Sequence, residues 1–107
     1  MKTLHLNLSY RWYDMILAGQ KSEEYRDMKW IKRICKYGIR TACSLTCSEP
    51  ACRQQLPTDY THVCFHRGYT KTTMLWSIGS VNIGRGNPDW GAPDQIVIII
   101  HLDKHIN

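Results

Sequence analysis

The sequence lacks any long apolar run. Its longest uninterrupted aliphatic stretch covers residues 96–100, whereas a membrane-spanning helix needs about 20 predominantly apolar residues. The first residues also lack the basic start and apolar stretch that are typical of a signal peptide. We therefore predict a cytoplasmic protein with no membrane-spanning segment.

The cysteines are too few and too irregular for a disulfide framework. There are five of them, and an odd number without a secretion signal is typical of reduced thiols. Three lie within residues 43–52, at spacings unlike the paired Cys-x-x-Cys of structural zinc sites. A fourth ligand would be the distant Cys35, or Cys64 together with His66. We predict reduced thiols, no metal site and no other cofactor.

The positive charge is confined to one segment. Residues 28–53 hold six lysines and arginines against one glutamate, and their net charge equals the +5 of the whole chain. An apolar stripe from Met28 onward predicts a basic helix of about nine residues. It is either a surface that contacts phosphates or a solvated face that aids solubility. Its candidate phosphate contacts are Lys29, Lys32, Arg33 and Lys36.

The pattern of apolar residues predicts one domain, residues 1–107, that is α+β and mainly β. Leu4, Leu6 and Leu8 alternate with polar residues, which predicts a strand. A helix follows, with Ser9 as its cap, an apolar stripe of Tyr13, Ile16 and Leu17, and Gly19 at its end.

Three more strands are predicted, over residues 61–67, 74–83 and 96–102. The alternation slips near Gly79, which indicates a bulge that curls the sheet. We predict a small, partly open β-barrel of five or six strands with one or two flanking helices. Residues 38–61, which carry cysteines and prolines, are predicted to be a long loop.

One charged stretch, residues 19–27, follows the first helix directly. Five charges among nine residues argue against a place in the core and favour a solvated edge strand. In a regular strand that began at Lys21, alternation would put Lys21 and Glu24 on opposite faces.

The same stretch resembles a known signature. Gly19, Lys21, Glu24 and Arg26 fit Gly-x-Lys-x-x-Glu-x-Arg, which is similar to the ASCH domain family of the PUA-like superfamily. The similarity extends over residues 3–37 and 62–104, and residues 65–69 and 83–91 resemble a small phage-associated branch. The resemblance implies a PUA-like barrel with a cleft beside it that binds RNA or a nucleotide-like ligand, lined by Lys21 and Glu24.

The residue types suit such a ligand. Lys21 offers a point charge to phosphate, Arg26 offers a planar fork, and Glu24 can accept a hydrogen bond from a base amine. Arg67 and Tyr69 are further candidates for the cleft. Trp90 is either a stacking platform or a plug at one end of the barrel.

Two other functions remain open. Some ASCH-like proteins are amidohydrolases of acylated cytidine, which implies Lys21 and Glu24 as catalytic candidates, although Glu24 stands where a threonine is expected. A thiol nucleophile, Cys64 beside His62 or His66, is a weaker signal. A protein-binding accessory domain would use the loop at 38–61. His5, His62, His101 and His105 are assigned to ordinary polar positions on strands or at the terminus.

Overall fold

The chain folds mainly into β-strands. A computed structural model describes residues 2–35 and 58–107. The elements follow in the order β1 (Thr3–Leu8), α1 (Tyr10–Leu17), β2 (Glu23–Arg26), a 3₁₀ turn (Met28–Trp30), α2 (Ile31–Ile34), β3 (His62–Arg67), β4 (Thr73–Gly84), a second 3₁₀ turn (Pro88–Trp90) and β5 (Val97–His105). The predicted class, mainly β with two short helices, is confirmed.

The five described strands form one curled sheet in the order β1-β3-β4-β5-β2. β1 and β3 are parallel, and the other pairs are antiparallel. β1 and β2 are therefore the two edges. Arg26 on β2 donates a hydrogen bond from Nη2 to the carbonyl of Asn7 on β1, at 3.0 Å. The edges approach each other, and a side chain instead of a strand pairing bridges the gap.

The alternation predicted for β1 is confirmed. Leu4, Leu6 and Leu8 are buried, whereas His5 and Asn7 are exposed. The inward residues of β1 pack against residues from the facing strands and α1, including Tyr13, Ile16, Val63, Phe65, Val81, Ile98 and Ile100. This cluster is the main core, and it fixes which side of each strand faces solvent.

The predicted bulge is also confirmed. The register between β4 and β5 shifts on both sides of Ile78, between Trp76 and Ile78 and again between Ile78 and Ser80. Gly79 lies within the second shift. A bulge increases local twist, so β4 can serve as one long strand of 12 residues in a curled sheet.

The end of α1 follows the prediction. Gly19 has a φ of 79°, in the left-handed region that glycine adopts most readily. Its N–H bonds to Ile16, and the N–H of Gln20 bonds to Met15, which is the Schellman pattern. Two details were wrong. Within the described chain, the Ser9 side chain makes no cap hydrogen bond, and Leu17 is 51% exposed.

The described start of the basic segment is helical. A 3₁₀ turn leads into the four residues of α2, and the Asp27 side chain caps the turn by accepting a hydrogen bond from the Lys29 N–H. Lys29, Lys32 and Arg33 are exposed. Lys36 and residues 38–57 of the predicted loop lie outside the described residues. No helix in the described part of the chain has the length and apolar character to span a membrane.

Candidate functional site

A cavity of about 330 Å³ opens where the two sheet edges approach. Its volume lies in the range of small-molecule sites, which are roughly 300–1,000 Å³. Four segments line it: the end of β1, α1, the stretch from Lys21 to Asp27, and the loop between β4 and β5. The lining residues are Asn7, Leu8, Ser9, Trp12, Lys21, Glu24, Tyr25, Arg26, Asp27, Trp90, Gly91, Pro93, Gln95 and Val97. We call this cavity the cleft.

Lys21 and Glu24 meet in the wall of the cleft. Lys21 Nζ lies 3.1 Å from Glu24 Oε1, and the two side chains are only 1% and 7% exposed. β2 begins at Glu23, so Lys21 precedes the strand and the alternation rule does not separate the pair. The edge position of β2 was predicted correctly, but the exclusion of these charges from the interior was wrong. Pairing makes the burial tolerable, because each charge neutralises the other.

Glu24 is engaged on both oxygens. Oε1 accepts hydrogen bonds from Lys21 and from the backbone N–H of Tyr25, the latter at 3.0 Å. Oε2 lies 3.5 Å from Arg26 Nη2. The carboxylate therefore positions both cations of the motif, and Oε2 is the oxygen with more capacity left for a ligand.

Two aromatic rings surround the Lys21 ammonium. Nζ lies 4.7 Å from the ring centre of Trp12 and 5.6 Å from that of Tyr25, within the range of cation–π attraction. Burial lowers the pKa of Lys21, and the charge and hydrogen bond of Glu24 oppose this shift without cancelling it. The ammonium is therefore held in a site that is partly dehydrated.

This pKa shift predicts a pH dependence of stability. The pKa of Lys21 is lower in the folded protein than its ordinary 10.5, so between the two values the unfolded chain binds more protons. The free energy of unfolding therefore rises with pH across that window. As the pH falls back through the folded pKa, this added stability is lost. We expect this rise in the wild type and not in Lys21→Met.

Urea unfolding of both proteins from neutral pH to 10.5 measures the difference. The Tyr25 hydroxyl also has a raised pKa, chiefly from burial, but it is present in both proteins and its effect largely cancels in the difference. A difference that does not change with pH would contradict a dehydrated Lys21.

Arg26 carries an unpaired buried donor. Its Nη2 bonds to Asn7, but Nε is buried and has no hydrogen-bond partner within the described residues. A buried polar group without a partner costs about 1–3 kcal/mol. Arg26 lines the cleft and its side chain is 19% exposed, so a small rotation of the guanidinium would let a ligand accept a hydrogen bond from Nε and recover that cost.

A stack of side chains connects the cleft to the basic segment. The guanidinium carbons of Arg26 and Arg33 lie 5.3 Å and 5.1 Å from the ring centre of Trp30. Trp30 therefore lies between the motif and α2, beside two cations. Positive charge thus continues from the cleft to Lys29, Lys32 and Arg33 on the surface.

Aromatic residues form the other wall. Trp90 lines the cleft and is partly buried against Tyr25, Val97 and their neighbours, so it combines features of both predicted roles, platform and plug. Trp12, which was not among the predicted site residues, also lines the cleft. A Cβ on Gly91 would lie 2.7 Å from the Trp12 ring. That close approach brings α1 against the loop between β4 and β5.

Two predicted cleft residues lie elsewhere. Arg67 binds Asp14 on α1 through two hydrogen bonds of 3.0 Å, and these hold the pKa of Asp14 below its ordinary value. Arg67 also lies 4.1 Å from the ring centre of Tyr10. Tyr69 is 98% exposed in the turn after β3. Neither belongs to the described cleft lining, because the end of β3 faces α1 instead of β2.

The cysteines that were considered as zinc ligands lie only partly within the described residues. The cysteines at 43, 47 and 52 lie outside them. Cys35 is buried in the main core, and burial raises the pKa of its thiol to about 11, so it stays protonated near neutral pH. Cys64 is half-buried on β3, with Sγ 3.9 Å from His66 Nε2.

Comparisons with known proteins identify no relative. No family model, no curated protein and no solved structure matches the chain. The resemblance to the ASCH family therefore rests on the sequence motif and its flanking stretches.

Proposed function

We propose that the cleft binds the base of a nucleotide or of single-stranded RNA. One observation carries the proposal: the Arg26 side chain, which is 19% exposed and has one N–H, at Nε, without a described partner, lines a cavity that is walled by indole rings. A flat heterocycle with hydrogen-bond acceptors suits both features, because it can stack on an aromatic ring and accept from the guanidinium.

The charges around the cleft favour a base over a phosphate in its interior. The lining contains two cations, Lys21 and Arg26, and two anions, Glu24 and Asp27, so its formal charge is zero. A neutral ring with donors and acceptors fits that balance. Glu24 Oε2 then accepts from an amine of the base, and Arg26 donates to a ring nitrogen or carbonyl.

The phosphates of the ligand then lie along the basic segment. Lys29, Lys32 and Arg33 are exposed and follow directly after the motif. Phosphate contacts of this kind position a nucleic acid without reading its sequence. The resemblance to ASCH domains and to a PUA-like barrel supports the same assignment independently, because it marks Lys21, Glu24 and Arg26.

Arg26→Gln tests the cleft directly. We expect it to weaken binding of a labelled single-stranded RNA by about 10–100-fold, because hydrogen bonds from charged groups contribute roughly 1.5–3 kcal/mol. Fluorescence polarisation measures the affinity at fixed salt. Arg85→Gln is the matched control, since Arg85 is exposed, pairs with Asp94 and is not in the described lining. Equal losses in the two variants would overturn the proposal.

The basic segment has a separate signature. Changing Lys29, Lys32 and Arg33 together to glutamine should reduce the slope of log affinity against log salt by about 2, since each phosphate contact to a single strand contributes about 0.7. An unchanged slope would remove the segment from the binding surface.

Two further assays on the same protein test the alternative functions. The lowered pKa of Lys21 favours the hydrolase alternative, because a lysine that transfers protons near neutral pH needs a pKa below its ordinary value. Incubation with acylated nucleosides tests this alternative. Steady turnover that is lost in Lys21→Met would favour that alternative. A protein recovered in a pull-down without nucleic acid would favour the accessory domain.

A further inference from the structure

Three metal-binding side chains converge on the outer face of the β1–β3 pair. His5 lies opposite Cys64 in the parallel register, and His66 lies two residues further along β3. Alternate residues of a strand share a face, so the three lie on the side opposite the core residues of these strands. None of the three belongs to the described lining of the cleft.

Their ligand atoms are close together. His5 Nδ1 lies 3.1 Å from His66 Nε2, and Cys64 Sγ lies 3.9 Å from the same nitrogen. All three atoms lie within 4.8 Å of one another. In a tetrahedral zinc site, usual bond lengths place two nitrogens about 3.4 Å apart and a nitrogen and a sulfur about 3.6 Å apart. Small side-chain adjustments would therefore seat one ion.

The histidine rings do not stack face to face, and a hydrogen bond joins His5 Nδ1 to His66 Nε2. Their centroids lie 5.4 Å apart with an angle of 47° between the planes. At this tilt a nitrogen of each ring, instead of the ring faces, makes the close contact. The three donors also come from adjacent hydrogen-bonded strands, so the sheet holds their backbones in place.

We propose that His5, Cys64 and His66 bind Zn²⁺. A donor set of imidazole and thiolate selects zinc over magnesium or calcium, which prefer oxygen ligands. His5 is exposed and the other two residues are half-buried, so the fourth position faces solvent and takes water. Three protein ligands and one water form an established type of open zinc site. The sequence missed it because His5 lies 59 residues before Cys64, and only the parallel pairing of β1 with β3 joins them.

Metal titration of the untagged full chain tests the site. Cys43, Cys47 and Cys52 are first changed to serine, which removes the thiols outside the described residues. We expect this background protein to bind one equivalent of Zn²⁺ in competition with a chromophoric chelator. Co²⁺ as a probe should give a thiolate-to-cobalt charge-transfer band and the visible bands of a four-coordinate ion.

Single substitutions then assign the ligands. His5→Gln, Cys64→Ser and His66→Gln should each weaken Zn²⁺ binding at least tenfold. Even the loss of a residue that only hydrogen-bonds to a metal ligand lowers metal affinity about 10–100-fold. His62→Gln is the matched control, because His62 lies on the same strand and contacts Thr61 instead. Circular dichroism verifies that each variant is folded.

The results divide cleanly. The site is supported if the three ligand variants lose the bound equivalent of Zn²⁺ and His62→Gln still binds it. Absence of binding to the background protein overturns it, and so does binding that survives His5→Gln and His66→Gln. Loss of the cobalt charge-transfer band in Cys64→Ser alone identifies the thiolate as a ligand.

Discussion

Replacing Glu24 with glutamine should lower the free energy of unfolding by about 3–5 kcal/mol, because it leaves the buried Lys21 ammonium without a counter-charge. The two side chains are almost completely withdrawn from solvent. Domains of this size have total stabilities of about 5–15 kcal/mol, so the loss would be a large share. Urea unfolding at neutral pH measures it.

The double variant Lys21→Met with Glu24→Gln is the control. Replacing both partners of a buried ion pair is often neutral or stabilising, so the double variant should recover most of the stability that Glu24→Gln loses. A loss below about 1 kcal/mol in the single variant would mean that the pair behaves as an exposed salt bridge. That result would contradict a dehydrated motif and weaken the case for the cleft.

Replacing Gly91 with alanine should destabilise the protein by about 2–5 kcal/mol. Part of the cost is conformational, because Gly91 has a φ of 92° and other residues lose about 1–2 kcal/mol in that region. The rest is steric, because the new Cβ would lie 2.7 Å from the Trp12 ring, and overpacking costs about 1–3 kcal/mol. Denaturant unfolding measures the sum.

Gly19→Ala separates the two contributions. Gly19 also has a positive φ, but within the described chain nothing lies within 4 Å of its Cβ position. It should lose only the conformational part, about 1–2 kcal/mol. Because Trp12 lines the cleft, Gly91→Ala should also weaken ligand binding, whereas Gly19→Ala should not. Equal effects of the two variants would contradict a tight contact between Trp12 and Gly91.

Local patterns predicted the elements well. Leu4, Leu6 and Leu8 marked β1 through their alternation, and Gly19 marked the end of α1. Gly79 marked the bulge because glycine coincided with a change of phase. Each of these predictions depends on residues only a few positions apart, and backbone geometry alone relates such neighbours.

The cleft was predicted only in part. The motif indicated Lys21, Glu24 and Arg26, and all three line the cavity. Arg67 and Tyr69 were placed in it because their side chains suit phosphate contact and base stacking, but Arg67 binds Asp14 on α1 instead. Trp12 and Gly91 were missed because their contact spans 79 positions of the chain.

The sequence by itself determined the sequence of strands and helices, the position of the charged motif and the location of the positive charge. The tertiary structure decided which charges are buried, because burial depends on the approach of β1 and β2 and on the aromatic side chains that cover the gap between them. It also decided that His5 meets Cys64 and His66. Sheet pairing brings distant residues together, and no local pattern encodes which strands become neighbours.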